Sequence, residues 1–190
     1  MSSVVISGDT SGAITVSAPA VAGTNTLTLQ AATATSAVNT LGTAVASTSG
    51  TSIDFTGLPS WIKRITVAFS ALSTSGTSTL IIQLGTGSTT YTTTGYNGGV
   101  VSSTSLTTNT TGMLINGTVA AADSTYGVFT LVNLTGNTWS SSCNLITNAV
   151  RGSYSSGQIA LAAALTAVRI TTTNGTDTFD AGTVNILYEG

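Results

Sequence analysis

The sequence predicts an all-β fold: a jelly-roll-like antiparallel β-sandwich with an extended N-terminal arm. Three observations predict it. The 190 residues include 40 Thr and 25 Ser, while charged residues make up only 5%. The strong helix formers Glu, Lys, Arg and Gln are therefore scarce, and β-branched residues dominate. Short alternating apolar segments recur about every 10–15 residues with turn residues between them, the spacing of a sandwich or jelly roll. The hydrophobic fraction is 41%, mean hydropathy is +0.40 and net charge is −2. Disordered chains combine low hydrophobicity with high net charge, so this chain has the composition of a folded domain.

Residues 1–38 form the arm. They hold no Lys, Arg or aromatic residue, and Asp9 is their only charge. Three candidate anchor strands alternate there: Val4 and Ile6, Ile14 and Val16, Leu27 and Leu29. Turn residues Gly8-Asp9 and Gly23-Thr24-Asn25 separate them. Each is too short to be stable alone, so the expectation is strand addition to another surface or to copies of itself. Residues 39–50 are small and polar and read as a linker.

Residues 51–190 read as the sandwich domain. Ile65, Val67 and Phe69 alternate with polar neighbours, as a half-buried strand does. Leu80, Ile82 and Leu84 repeat the pattern, and Tyr91–Thr94 is a further short strand. Gly85–Thr90 and Asn97-Gly98-Gly99 read as turns. Met113 and Ile115 open a strand ending at Asn116-Gly117. Val128, Thr130 and Val132 mark the next, turned by Thr135-Gly136-Asn137 into a strand from Trp139 towards Ile146. Gln158–Leu165 is Ala-rich, and its place between strands favours a buried strand. Val168–Thr172 and Val184–Tyr188 flank a loop starting at Asn174-Gly175.

Four basic residues cannot build a nucleic-acid footprint, which needs a dense Lys/Arg patch. Without histidine there is no histidine base and no Cys/His metal set; the single Cys143 reads as a small buried hydrophobe. Lys63, the only lysine, has no nucleophile signature beside it, and no G-x-S-x-G elbow is present. The expectation is no enzyme and no cofactor. A polysaccharide hydrolase would have to rest on Asp177 and Asp180, whose pairing nothing else supports. Asn174, Asp177 and Asp180 could hold Ca²⁺, but Asx hydrogen bonding within a loop is the favoured reading. Residues 1–20 lack the regions of a signal peptide, and the apolar run Ile159–Val168 is too short to cross a bilayer, so membrane insertion is not expected.

Trp61, Lys63 and Arg64 form a candidate contact patch, an aromatic anchor beside two cations. Gatekeeping charges at a strand start are the competing and favoured reading. Trp139, Tyr91, Tyr96, Tyr126 and Tyr154 are candidates for stacking on sugars, against core or subunit packing. A surface this poor in charge has weak protection for edge strands, and symmetric self-association is the simplest cover.

Several stretches together resemble tailed-bacteriophage virion structural proteins of the head-fibre, tail-fibre or decoration type. Ser7–Gly12 and Ala20–Leu29 resemble an N-terminal segment common among them. Thr51–Val67, containing Ile53-Asp54-Phe55 and Pro59-Ser60-Trp61-Ile62-Lys63-Arg64, resembles the start of the β-domain that often follows. Gln83-Leu84-Gly85, Thr94-Gly95-Tyr96 and Val168–Glu189 fit the same pattern, and Val100–Ser156 matches loosely. The resemblance implies a homotrimer, an arm bound to other virion proteins of capsid or tail, assembly in the host cytoplasm, and no catalytic residues. Its alternative implication is a receptor-binding module for host-surface glycan.

Overall fold

The computed structural model describes residues 3–7, 13–17, 38–102, 105–117, 119–121, 123–148 and 151–190. Two units separate, Met1–Ser36 and Ala37–Gly190. In the first, β1 (Ser3–Ser7) and β2 (Ala13–Ser17) pair antiparallel. Val4 stands opposite Val16 and Ile6 opposite Ile14, so two of the anchor segments pair with each other as a hairpin. Leu27 and Leu29 lie outside the described residues.

The second unit is all-β, with no helix among the described residues and every strand pair antiparallel. Its larger sheet runs in the order β3 (Asn39–Leu41), β15 (Phe179–Glu189), β6 (Arg64–Thr74), β11 (Thr125–Thr135), β12 (Thr138–Thr147), β13 (Gly152–Ala160), β8 (Asn97–Ser102) and β9 (Ser105–Thr108). The short β4 (Val45–Ala46) also pairs with β15. The smaller sheet runs β10 (Met113–Leu114), β7 (Leu80–Gly85), β14 (Ala167–Thr172) and β5 (Ser52–Thr56).

The two sheets bury one core between them. Ile65, Val67, Phe129, Leu131, Cys143 and Ile186 belong to the larger sheet; Ile53, Ile82, Leu84, Val168 and Ile170 belong to the smaller. Each such side chain contributes about 1.5–3 kcal/mol through apolar area withdrawn from water. Period-2 alternation decides which residues face inward: β6 reads buried at Ile65, Val67 and Phe69 and open at Arg64, Ala68 and Ser70.

β7 is the centre of the smaller sheet, and its neighbour β10 covers only Ile81 and Ile82. Side chains and loops complete that edge. At one end the Leu80 N–H donates to Asn116 Oδ1 at 2.8 Å, and the Leu80 carbonyl accepts from Ile115 N–H at 2.9 Å. At the other end the Leu84 N–H donates to the Tyr96 hydroxyl at 2.7 Å, and the Leu84 carbonyl accepts from Thr92 N–H at 2.9 Å. The Tyr96 hydroxyl in turn donates to the Thr92 carbonyl at 3.1 Å. Buried backbone groups must find partners, and here Asn116 and Tyr96 stand in for a longer β10.

The pairing of β6 with both neighbours slips in register around Ala71. Ala71 is left-handed, with φ of 54°, and Gly182 opposite it has φ of 102°. A Cβ at Gly182 would press on the Ala71 carbonyl. This is a β-bulge, an extra residue that bends the sheet.

Several expectations change. Residues 39–50 are not a free linker over 39–46, because β3 and β4 pair with β15. Asn97-Gly98-Gly99 is the start of β8 rather than a turn; Gly98 lies against β13, where a Cβ would sit 2.7 Å from the Gly157 Cα. Tyr91 makes only an isolated bridge to Gly85. Strand β13 stops at Ala160, and exposed Ala162–Ala164 belong to the connection leading to the other sheet.

Candidate functional site

The face of the larger sheet turned away from the core carries a cluster of exposed apolar side chains. Cross-strand register sets Val128, Asn144, Tyr154, Val101 and Leu106 in one row over five adjacent strands. Tyr126 and Ile146 stand opposite each other next to it. All six apolar members are exposed, Tyr154 by 66% and Leu106 by 69%. A shallow groove of about 530 Å³ runs over this area, lined by Val101, Leu106, Asn144 and Tyr154. The row ends at β9, an edge strand whose four side chains are all exposed and carry no charge. Exposed contiguous apolar surface of this kind marks interaction sites, and an unguarded edge is a template for pairing.

The contact patch sits where β6 begins beside the end of β15. The Trp61 ring packs on Tyr188 with centroids 5.9 Å apart and remains 40% exposed. Lys63 N–H donates to the Glu189 carbonyl at 2.8 Å, and its side chain is exposed. Arg64 is ion-paired with Glu189, its register partner, and this holds the Glu189 carboxyl below the usual carboxylate range. The three predicted residues therefore come together, with one of the two cations neutralised.

The Asn174 turn spends its oxygens internally. Asn174 Oδ1 accepts from the Thr172 hydroxyl and from the N–H groups of Thr176 and Asp177. Asn174 Nδ2 donates to Asp177 Oδ1 at 2.6 Å, and Ser78 N–H donates to Asp177 Oδ2 at 3.0 Å. These donors, Asn174 first, hold the Asp177 carboxyl below its ordinary value. Asp180 makes no part of this network, and no group of three His, Cys, Asp or Glu gathers among the described residues. The arrangement is an Asx turn.

The outer face of the smaller sheet holds a site that sequence reading did not find. Asp54 on β5, Arg169 on β14 and Gln83 on β7 lie side by side in register. Arg169 binds Asp54 through Nε at 2.8 Å and Nη2 at 2.7 Å. The Tyr91 ring stacks under the guanidinium, 4.0 Å from its centroid. Burial, followed by the nearby Asp54 charge, raises the Tyr91 pKa. Gln83 Nε2 donates to the Thr111 carbonyl at 2.9 Å. The sheet is the floor of a cleft of about 320 Å³, walled by Thr93, Thr111 and the Asn174-Gly175 turn. No contiguous pattern in the sequence marks it, because its members come from five separate segments.

Among the predicted aromatics, Trp139 and Tyr96 are buried in the core, Tyr126 and Tyr154 belong to the apolar face, and Tyr91 flanks the polar cleft. Cys143 is buried at Val128, 3.2 Å from its carbonyl oxygen, and burial pushes its thiol up to about 12. Comparison of the chain with protein-family models, with curated proteins and with solved structures finds no match.

Proposed function

We propose that this chain is a non-enzymatic structural component of a tailed-phage virion: a homotrimeric fibre or capsid-decoration subunit anchored by its N-terminal arm. The observation that carries the reading is the charge-free row from Val128 to Leu106, apolar except at Asn144 and ending on the unguarded edge β9. A soluble monomer gains nothing from leaving that surface in water, whereas a second copy of the chain would bury it. Threefold symmetry and the virion setting come from the resemblance of Ser7–Leu29 and Thr51–Val67 to phage structural proteins. The division of the chain into Met1–Ser36, with its β1–β2 pair, and Ala37–Gly190 suits an N-terminal anchor bound to capsid or tail.

Strand order supports a jelly-roll topology. The smaller sheet, β5-β14-β7-β10, has the order of one jelly-roll sheet. The larger has β6, then the meander β11-β12-β13, then β8 and β9, as the second sheet would with three strands in place of one. An odd number of antiparallel strands keeps the directions of its flanking strands, so the substitution preserves the topology.

Two measurements test the reading. Deleting residues 1–38 should leave a folded domain that no longer incorporates into particles; normal incorporation refutes the anchor. Light scattering on the purified chain should give three times the chain mass, and a joint Tyr154→Glu and Leu106→Glu variant should run as a folded monomer. An oligomer indifferent to both charges refutes the assigned face.

A second reading, a receptor-binding module for host-surface glycan, is favoured by the polar cleft beside Arg169 and Tyr91.

A further inference from the structure

We propose that the cleft on the outer face of the smaller sheet binds a neutral saccharide, read by Arg169, Gln83 and the threonines around them, with Asp54 neutralising the arginine from beside the cleft. The inference rests on the glycan reading and is independent of virion attachment.

The walls are fixed before any ligand arrives. Segment 86–96 is tied to β7 by the Tyr96 hydroxyl and by Thr92 N–H. Thr111 is held by Gln83 Nε2 and by the Asn109 side chain, which accepts from both its N–H and its hydroxyl. The Asn174 turn is locked by its own hydrogen bonds. A preformed cleft avoids the cost of ordering loops on binding.

Its chemistry selects the ligand. The lining is hydrogen-bonding almost throughout, with Ile81 as the apolar exception among Gln83, Thr93, Thr111, Arg169 and Thr171. The one cation in it is matched bidentately by Asp54, so the cleft offers no net charge to a phosphate or a carboxylate. Two of the guanidinium nitrogens bind Asp54, which leaves Nη1 to donate. Gln83 commits its amide nitrogen, which leaves its amide oxygen to accept. Threonine hydroxyls do both. Paired donors and acceptors without net charge are what vicinal sugar hydroxyls require. The volume falls at the small end of ligand clefts, enough for a short saccharide.

The test is a calorimetric and ligand-observed NMR titration of the full chain. The probes are glucose, galactose, mannose, N-acetylglucosamine and their disaccharides, against sialyllactose, glucuronate and glucose 6-phosphate. The expected result is saturable binding of at least one neutral sugar, unchanged by added salt. Gln83→Leu should weaken it about tenfold, the effect of losing one hydrogen bond in a desolvated site. The exposed change Thr93→Val should weaken it too with unfolding temperature unchanged, which keeps the test valid if Gln83→Leu folds poorly. Preference for the anionic probes overturns the proposal. Neutral binding indifferent to both variants overturns this cleft but leaves a glycan-binding role. No binding of any probe overturns both.

Discussion

Removing one oxygen atom, in Tyr96→Phe, tests how the open edge of β7 is satisfied. The ring stays in the core, so no cavity forms. Leu84 N–H and the Thr92 carbonyl each lose their partner in the Tyr96 hydroxyl. Leu84 is fully buried and its N–H has no water to turn to, whereas half-buried Thr92 can be rehydrated in part. A buried group left unsatisfied costs about 1–3 kcal/mol, so the variant should lose about 2 kcal/mol at neutral pH. For a chain of this length that is a fall of about 4–8 °C in unfolding temperature. The loss should then shrink as pH rises. Burial pushes the Tyr96 phenol from 10.0 up to about 12, against a smaller opposing effect of Leu84 N–H. A raised folded pKa means stability fully present below pH 10 and lost as pH rises towards 12. Over that window the unfolded chain has released the proton and the native one has not. Two pH units correspond to on the order of 3 kcal/mol lost by the parent and not by the variant. Cys143, also raised to about 12, titrates alike in both proteins and cancels. Urea unfolding of parent and variant, stepped from neutral pH to pH 12, should give stability curves that converge and meet near the upper end. Curves that stay parallel, or a neutral-pH difference below about 0.5 kcal/mol, within the range of ordinary surface substitutions, would refute the argument.

Three further outcomes follow from the same structure. Gly182→Ala should destabilise by about 2 kcal/mol or more in chemical denaturation, from left-handed strain and pressure on the Ala71 carbonyl, while Ala71→Gly should be neutral or stabilising by up to about 1 kcal/mol. Asn116→Leu, which leaves Leu80 N–H without its acceptor, should cost about 1–3 kcal/mol by the same measurement. Cys143 should react with an aromatic disulfide reagent only at the rate of unfolding, because its thiol is buried and its pKa lies near 12; rapid labelling under native conditions contradicts its placement.

The sequence was most legible where one face of a strand is polar. β6 and β14 alternate cleanly enough for their inward residues to be read directly. β11 does not: Val128, Phe129, Leu131 and Val132 are apolar on both faces, and reading Val128 and Val132 as the strand's apolar set misses that Phe129 and Leu131 fill the core. The same ambiguity hid the most distinctive surface, because outward Val128 looks like core until Tyr154, Val101 and Leu106 are set beside it. β13 and β9 are mostly Ser, Thr and Gly and carry no hydrophobic period. Asn97-Gly98-Gly99 has turn composition, yet its glycines serve close strand approach. Trp61, Lys63 and Arg64 were legible as a group because they are contiguous. The Asp54–Arg169–Gln83 row was not, since its members lie on three strands and only register joins them.

The placement of charge links these surfaces. Arg64, Arg151 and Arg169 are ion-paired with Glu189, Asp123 and Asp54, and Asp177 is bound into the Asn174 turn. Two of these pairs join register partners on adjacent strands, so their ions neutralise each other locally. What remains outward is largely hydroxyl and aliphatic. Such a surface has little field with which to steer a partner, and association through it proceeds at the roughly 10⁵–10⁶ M⁻¹s⁻¹ of unsteered encounters. Affinity then has to come from apolar area and short-range hydrogen bonds. Assembly through the Val128–Leu106 row should accordingly be insensitive to sodium chloride and strengthened by sulfate, which favours burial. Dissociation on adding moderate sodium chloride would instead place the interface among the few charges, with Lys63 and Arg64 the first to examine.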